Sequence, residues 1–229
     1  MNDFAYQSFL IGNKAQKLVI FLHGYNSYIE DLLPFIDVLK KQLNNTLIVA
    51  PLGGEISEKN PLKKQWYALN DIDPNKKRRD PNTSVNDIIK IYNKTGDRIS
   101  FVSKNINRFI SNIQKEYKIK NKDTFIMGFS QGAMLALYSG LSRQYKVGGV
   151  FVFAGIVSGK DMLEKEIRSK PYVYLFHGTS DVSVQYKTLR FTKKWLNSQG
   201  IEWEAIEYDG IEHRLIDDEM LDASKIVNR

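Results

Sequence analysis

The sequence predicts an α/β protein with a mostly parallel central sheet and helices on both faces. Three observations carry this. Continuous apolar runs at residues 18–22, 46–50, 124–127, 147–154 and 171–176 have the length of strands buried on both sides. Stretches with helical spacing separate them, and strands that alternate with helices pair in parallel. One apolar run, residues 124–127 (TFIM), also passes through the turn Gly128-Phe129-Ser130-Gln131-Gly132 straight into the helix-forming AMLAL of residues 133–137.

In chain order, residues 4–11 read as an edge strand closed by a Gly12-Asn13 turn, and LVIFL at 18–22 ends at His23-Gly24. Residues 30–43 carry Leu32, Leu33, Phe35, Ile36, Leu39 and Leu43 on one helical stripe. The strand at 46–50 stops at Pro51 and the Gly53-Gly54 pair, and residues 65–67 fall in a loop. Ser84 caps a helix of about ten residues whose stripe is Val85, Ile88, Ile89 and Tyr92, and Gly96 is expected to end it. Residues 100–117 form an amphipathic helix leading into the strand at 124–127. Beyond the turn, strands are expected at 147–154, at 171–176 ending in His177-Gly178, and at 202–208. A helix at 184–198 closes at Gly200, and a last helix begins at Asp217.

With 229 residues, 42% of them hydrophobic, the chain is expected to form one domain over 1–229, with residues 71–98 as a lid-like insertion. The absence of cysteine excludes disulfides, thiolate metal sites and a cysteine nucleophile. No apolar run approaches a membrane span, and MNDFAYQSFLIGNKAQ lacks the basic-then-apolar pattern of a signal peptide, so a cytoplasmic protein is expected. The net charge of +7 comes from dispersed lysines and arginines, except at residues 76–79 (KKRR), which Asp71, Asp73 and Asp80 flank. That cluster reads as a solvated loop, and no nucleic-acid partner is expected.

The chemistry is concentrated at 128–132. G-x-S-x-G arises by chance in roughly 5–10% of chains this long; between a strand and a helix it becomes a nucleophile elbow, with its serine at a helix N-terminus that favours a developing oxyanion. A serine hydroxyl needs an imidazole to take its proton and a carboxylate to orient that imidazole. Of the three histidines, His23 precedes Ser130, and His177 precedes any suitable acid. His213, in a loop after the last strand, fits the order Ser, Asp, His. The acid is best taken as Asp181, in the segment HGTSD after a buried strand. Asp209 is the next candidate, although it and Asp217 suit turn or capping roles. His23 and His177 are expected to make structural hydrogen bonds beneath the site.

Together these segments resemble the α/β-hydrolase fold and, within it, the phospholipase/carboxylesterase family of bacterial carboxylesterases and acyl-protein thioesterases. LVIFLHGYNSYIEDL is similar to the family's opening strand and L-H-G-x-G loop, LIVAPLGGE to its v-x-P-x-A-P segment and QWYAL to its W-F motif. GFSQGAMLAL is nearly its elbow unaltered, YLFHGTSDVSV resembles H-G-x-x-D-x-V, and DGIEHRLID resembles G-x-x-H-x-I. The resemblance implies an oxyanion hole made by the backbone N–H groups of Tyr25 and Gln131. Asn26 departs from the family's usual glycine, and Leu52-Gly53-Gly54 replaces Asn-Ala-Pro; asparagine tolerates a left-handed backbone better than most residues.

The expected activity is hydrolysis of carboxylic esters or thioesters by Ser130, His213 and Asp181, with no metal or organic cofactor. Short esters, lysophospholipids and acylated proteins all fit as substrates. A serine peptidase on the same fold is the alternative enzyme, and an inactive lipid- or partner-binding homologue the alternative from another class. Trp66, Ile88 and Ile89 are the substrate-binding candidates. The stripe on the 84–96 helix either packs on the core beside Trp66 or roofs the acyl pocket. In the second case the 76–79 cluster lies at the rim, where it favours anionic head groups or an acidic protein surface.

Overall fold

A computed structural model describes residues 4–229. Strand β1 (Tyr6–Ile11) alternates exposed and half-buried residues, as an edge strand does, and runs antiparallel to β3 (Thr46–Pro51). Between them in sequence lie β2 (Lys17–Leu22) and helix α1 (Leu33–Gln42), whose Pro34 occupies the first turn, where its missing N–H leaves no bond unmade. A short hairpin of β4 (Glu55–Ile56) and β5 (Lys64–Gln65) follows, then α2 (Val85–Asn93) and the 22-residue α3 (Gly96–Tyr117). The second half runs β6 (Thr124–Phe129), α4 (Gln131–Ser142), β7 (Gly149–Phe153), α5 (Lys160–Glu166), β8 (Val173–Gly178), α6 (Leu189–Ser198), β9 (Trp203–Tyr208) and α7 (Asp217–Asn228).

Seven strands form one sheet in the order β1-β3-β2-β6-β7-β8-β9, parallel throughout except for β1. The alternation of strand side chains splits the core into two layers. Leu18, Ile20 and Leu22 face the layer packed by α2 to α6, while Val19 and Phe21 face that of α1 and α7. The sheet is therefore covered on both faces, as an α/β-hydrolase sheet is. Strand order reverses about β2, since β3 lies on one side of it and β6 on the other. A crevice opens at the carboxyl ends of such a pair.

One local expectation needs correction. Gly96 does not end α2; α2 stops at Asn93, and Gly96 is the first residue of α3. A Cβ on Gly96 would lie 3.2 Å from the Met162 Cβ, and one on Gly159 would lie 2.8 Å from the Gly96 Cα, so the start of α3 packs closely on the segment that begins α5. The segment 71–98 packs against the rest of the domain. Ile88, Ile89 and Tyr92 are buried in the same layer as Trp66 and α3, and the polar loop before them is held by a buried ion pair between Arg78 and Asp73 at 2.7 Å. No helix among the described residues is long and apolar enough to cross a membrane.

Candidate active site

The turn after β6 holds Ser130 at φ 55° and ψ −115°, a region that side chains rarely adopt. Such strain costs about 1–3 kcal/mol and persists only where the surroundings enforce it. Here the Ser130 N–H donates to the Phe153 carbonyl at 2.9 Å, and the Ser130 carbonyl accepts from the Met134 N–H at 3.1 Å. Two glycines let the turn close. A Cβ on Gly128 would sit 2.2 Å from the Gly132 carbonyl oxygen, and one on Gly132 would sit 2.3 Å from that of Leu22. Helix α4 thus crosses β2 and β6 at backbone contact, with Ser130 at its N-terminus.

The loop after β9 brings His213 to this turn. Its Nε2 lies 2.9 Å from Ser130 Oγ and its Nδ1 2.8 Å from Asp181 Oδ2. Burial would raise the Asp181 pKa, but hydrogen bonds from His177 and His213 bring it down to about 2. An ionised carboxylate only accepts, so His213 Nδ1–H donates to it, and the bare Nε2 accepts the Ser130 hydroxyl proton. Asp181 Oδ1 meanwhile accepts the N–H groups of Ser183 (2.8 Å) and Val184 (3.0 Å). His177 Nε2 donates to the Val184 carbonyl at 2.9 Å and lies 3.3 Å from Asp181 Oδ2. The Phe129 ring packs on the His213 imidazole, with centroids 4.9 Å apart.

Around this relay the remaining side chains fix backbone. His23 is fully buried, and burial lowers its pKa to about 4, so it is neutral. The Gly53 N–H donates to its Nε2 at 2.9 Å, which leaves Nδ1–H to donate to the Gly24 carbonyl at 2.8 Å. Gly53 has no room for a side chain there, because a Cβ would lie 2.5 Å from the Gln65 carbonyl oxygen. Gln131 orients its amide unambiguously: Oε1 accepts the Trp66 N–H (2.9 Å) and Nε2 donates to the Tyr67 carbonyl (2.7 Å). Asn26 takes the left-handed conformation, φ 56°, and accepts from Ser57 Oγ at 3.0 Å.

Trp66, Ile88 and Ile89 do not line the cavity at Ser130. Trp66 is buried, stacks on His23 with centroids 4.9 Å apart and donates from Nε1 to the His23 carbonyl at 2.7 Å, so it braces the segment that leads to Tyr25. Ile88 and Ile89 are core residues, packed in the same layer as Trp66 and α3, and of the α2 stripe Tyr92 reaches the recess behind the crevice. Among the residues that bound the crevice are Tyr25, Phe35, Phe129, Arg79, His213 and Arg214, around a cleft of about 350 Å³. A recess of about 20 Å³ lies behind it, among Leu69, Tyr92, Met134 and Val184. A cavity of about 450 Å³ between α3 and the end of α4 is larger but holds none of the relay residues.

The architecture has counterparts among known proteins. Residues 11–229 match the model of the Phospholipase/Carboxylesterase family. The chain belongs to the phospholipase/carboxylesterase family. Among solved structures, the esterase PE8 is 25% identical over 98% of each chain, with a TM-score of 0.83. SOBER1 of Arabidopsis thaliana shares 20% identity over 94% of this chain and 99% of its own, with a TM-score of 0.77. The carboxylesterase of Bacillus cereus shares 15% over 99% and 94%, with a TM-score of 0.72. As a phospholipase/carboxylesterase family member the protein is a hydrolase of the esterase type. The side chains of Gln185 and Arg214, which sequence reasoning passed over, bear on its site. Gln185 carries no local signal, since it acts through Arg78 and Asp80, far away in sequence, and Arg214 lines the cleft beside His213.

Proposed function

We propose that the protein is a serine hydrolase that cleaves carboxylic ester or thioester bonds through an acyl-enzyme at Ser130. The observation that carries this reading is the continuous relay from Ser130 Oγ through His213 to Asp181, with both hydrogen bonds at 2.8–2.9 Å. His213 Nε2 takes the hydroxyl proton as Ser130 Oγ bonds to the substrate carbonyl carbon. The tetrahedral oxyanion is held by the N–H groups of Tyr25 and Gln131, donors worth several kcal/mol where charge develops. The imidazolium then returns its proton to the leaving alkoxide or thiolate. Water repeats the sequence on the acyl-enzyme, giving the acid and free Ser130.

The test is covalent labelling with a fluorophosphonate together with an ester panel of graded acyl length. Ser130 is the expected labelled residue, and Ser130→Ala and His213→Ala each reduce ester turnover by about three orders of magnitude or more. Undiminished labelling of the Ser130→Ala protein rejects the mechanism. Absence of both labelling and turnover in the wild type would favour a protein that holds a lipid or partner in an inherited pocket.

A further inference from the structure

The segment 73–80, polar and strongly basic, is built into the site by a specific set of bonds. Asp73 accepts the N–H groups of Lys77 (2.8 Å) and Arg78 (3.2 Å), and its Oδ2 pairs with the Arg78 guanidinium at 2.7 Å, both side chains being almost fully buried. From the other side Gln185 Nε2 donates to the carbonyls of Arg78 and Asp80, each at 2.8 Å. Gln185 follows the Ser183-Val184 amides that hold Asp181, so the turn is fastened to the loop carrying the acid. The residue between those two clamped carbonyls is Arg79.

Arg79 differs from its neighbours. Arg78 is spent on Asp73, whereas the Arg79 side chain is exposed and has no hydrogen-bond or ion-pair partner among the described residues. It lines both the 350 Å³ cleft and the inner recess, as Tyr25, Ser130 and His213 also do. On the same cleft Arg214, next to the base, is likewise exposed without a partner. The one acid lining the cleft, Asp31, is already engaged by Ser27 Oγ (2.8 Å), the Tyr28 N–H (3.2 Å) and Lys63 Nζ (3.4 Å). Two unpaired guanidinium groups therefore face a cavity that contains the nucleophile, and one of them stands on a backbone clamped from two sides. A guanidinium fork matches a carboxylate or phosphate. Fixing its backbone in advance lowers the entropy lost on binding.

We propose that Arg79, with Arg214, is an anion-recognition site for substrate, and that the preferred ester carries a carboxylate or phosphate group that these arginines bind while Ser130 attacks the carbonyl. The inference rests on the hydrolase reading above. It differs from a diffuse basic rim, because it assigns recognition to one clamped arginine and leaves Arg78 to hold the turn.

The experiment compares acetyl esters whose leaving groups carry an anionic or a neutral substituent. These are 4-carboxyphenyl acetate, its neutral counterpart 4-carbamoylphenyl acetate, and 4-acetoxyphenyl phosphate. Monomethyl glutarate and its neutral amide counterpart place the anion on the acyl side instead. The wild-type kcat/KM ratio of anionic to neutral ester is expected to exceed that of Arg79→Gln by about tenfold, the usual scale for a hydrogen bond to a charged group. The difference should appear mainly in KM. Arg79→Lys should retain part of the preference, keeping the charge without the fork, and Arg214→Gln should lower it further in the double variant. Added salt should shrink the ratio. The carboxylate and phosphate arms identify the anion, and the glutarate arm identifies the side of the scissile bond. An unchanged ratio in Arg79→Gln and in the double variant, with esters still hydrolysed, overturns the proposal alone. Loss of all turnover in the wild type overturns the hydrolase reading beneath it.

Discussion

Asp181 accepts hydrogen bonds on both oxygens, so exchanging it for asparagine cannot be neutral. If the amide nitrogen faces His213, it donates to Nδ1, places the ring proton on Nε2 and removes the acceptor for the Ser130 hydroxyl. If the oxygen faces His213, the nitrogen instead opposes the N–H groups of Ser183 and Val184. Asp181→Asn is thus expected to lower ester turnover by about four orders of magnitude. A rate like that of the wild type would transfer the role to Asp209, which here accepts from Thr179 Oγ1. The same residue makes a pH prediction. Its folded pKa of about 2 lies below the ordinary 3.8, so its contribution to stability is complete above about pH 4 and is lost as pH falls toward 2. Melting temperature followed from pH 6 to pH 2.5 should fall less steeply in Asp181→Asn. Ser130, Asp181 and His213, the proposed relay, could be singled out in the sequence because each follows a strand end and only three histidines compete for the base. Trp66, Ile88 and Ile89 were misplaced because a sequence shows that a side chain is apolar, but not which side of a layer it reaches.

Elements were legible in proportion to how much they bury. The strands at 18–22 and 46–50 stood out as unbroken apolar runs, and both are almost completely buried. Helix α5 was missed because KDMLEKE buries only Leu163 and so has no stripe. Helix α2 shows the opposite case: its stripe is unambiguous, yet the surface it covers is decided by the fold. Because Ile88 is fully buried in the core layer, Ile88→Ala is expected to cost about 2–5 kcal/mol and to lower turnover of short and long acyl esters alike. A selective loss on long-chain esters with an unchanged melting temperature would restore the acyl-pocket role. At α7, Glu219 accepts the Ile216 N–H at 3.1 Å, which caps the helix, but the carboxyl is nearly inaccessible. Burial pushes its pKa up to about 8, the Ile216 hydrogen bond opposing this and the Asp181 charge adding to it. Between about pH 4.5 and 8 the folded chain therefore holds a proton that the unfolded chain has released, and stability falls as pH rises through that window. Glu219→Gln keeps an acceptor for Ile216 and stays neutral. Its melting temperature is expected to match the wild type at pH 5 and to exceed it by several degrees at pH 8.5; parallel curves would refute the assignment.

At the scale of the whole molecule, the site exists because two backbone segments touch where the strand order reverses. Strand β2 delivers His23, Gly24 and Tyr25, strand β6 delivers Ser130, their pairing sets the separation of the two, and α4 rests on both. Gly132 is the point of contact, with the carbonyl oxygens of Leu22 and His23 at 2.3 Å and 2.4 Å from where its Cβ would be. Both are backbone atoms, one in the last residue of β2 and one just beyond it, so neither can rotate away as a side chain could, and a methyl group there must lift α4. Lifting it would draw the Gln131 amide from Trp66 and Tyr67 and separate Ser130 from His213 Nε2. Gly132→Ala is accordingly expected to lower stability by more than about 2 kcal/mol, in the range of overpacked cores. It should also lower kcat well beyond what partial unfolding explains, because about 1 Å of displacement at a reacting group can cost about a hundredfold. Gly54→Ala is the control, since its Cβ would meet nothing within 4 Å. Denaturant unfolding and turnover measured on both variants decide the matter. An active, fully stable Gly132→Ala protein would show that helix and sheet can separate without disturbing the crevice. The nucleophile would then be positioned by its own turn rather than by the packing of the whole fold.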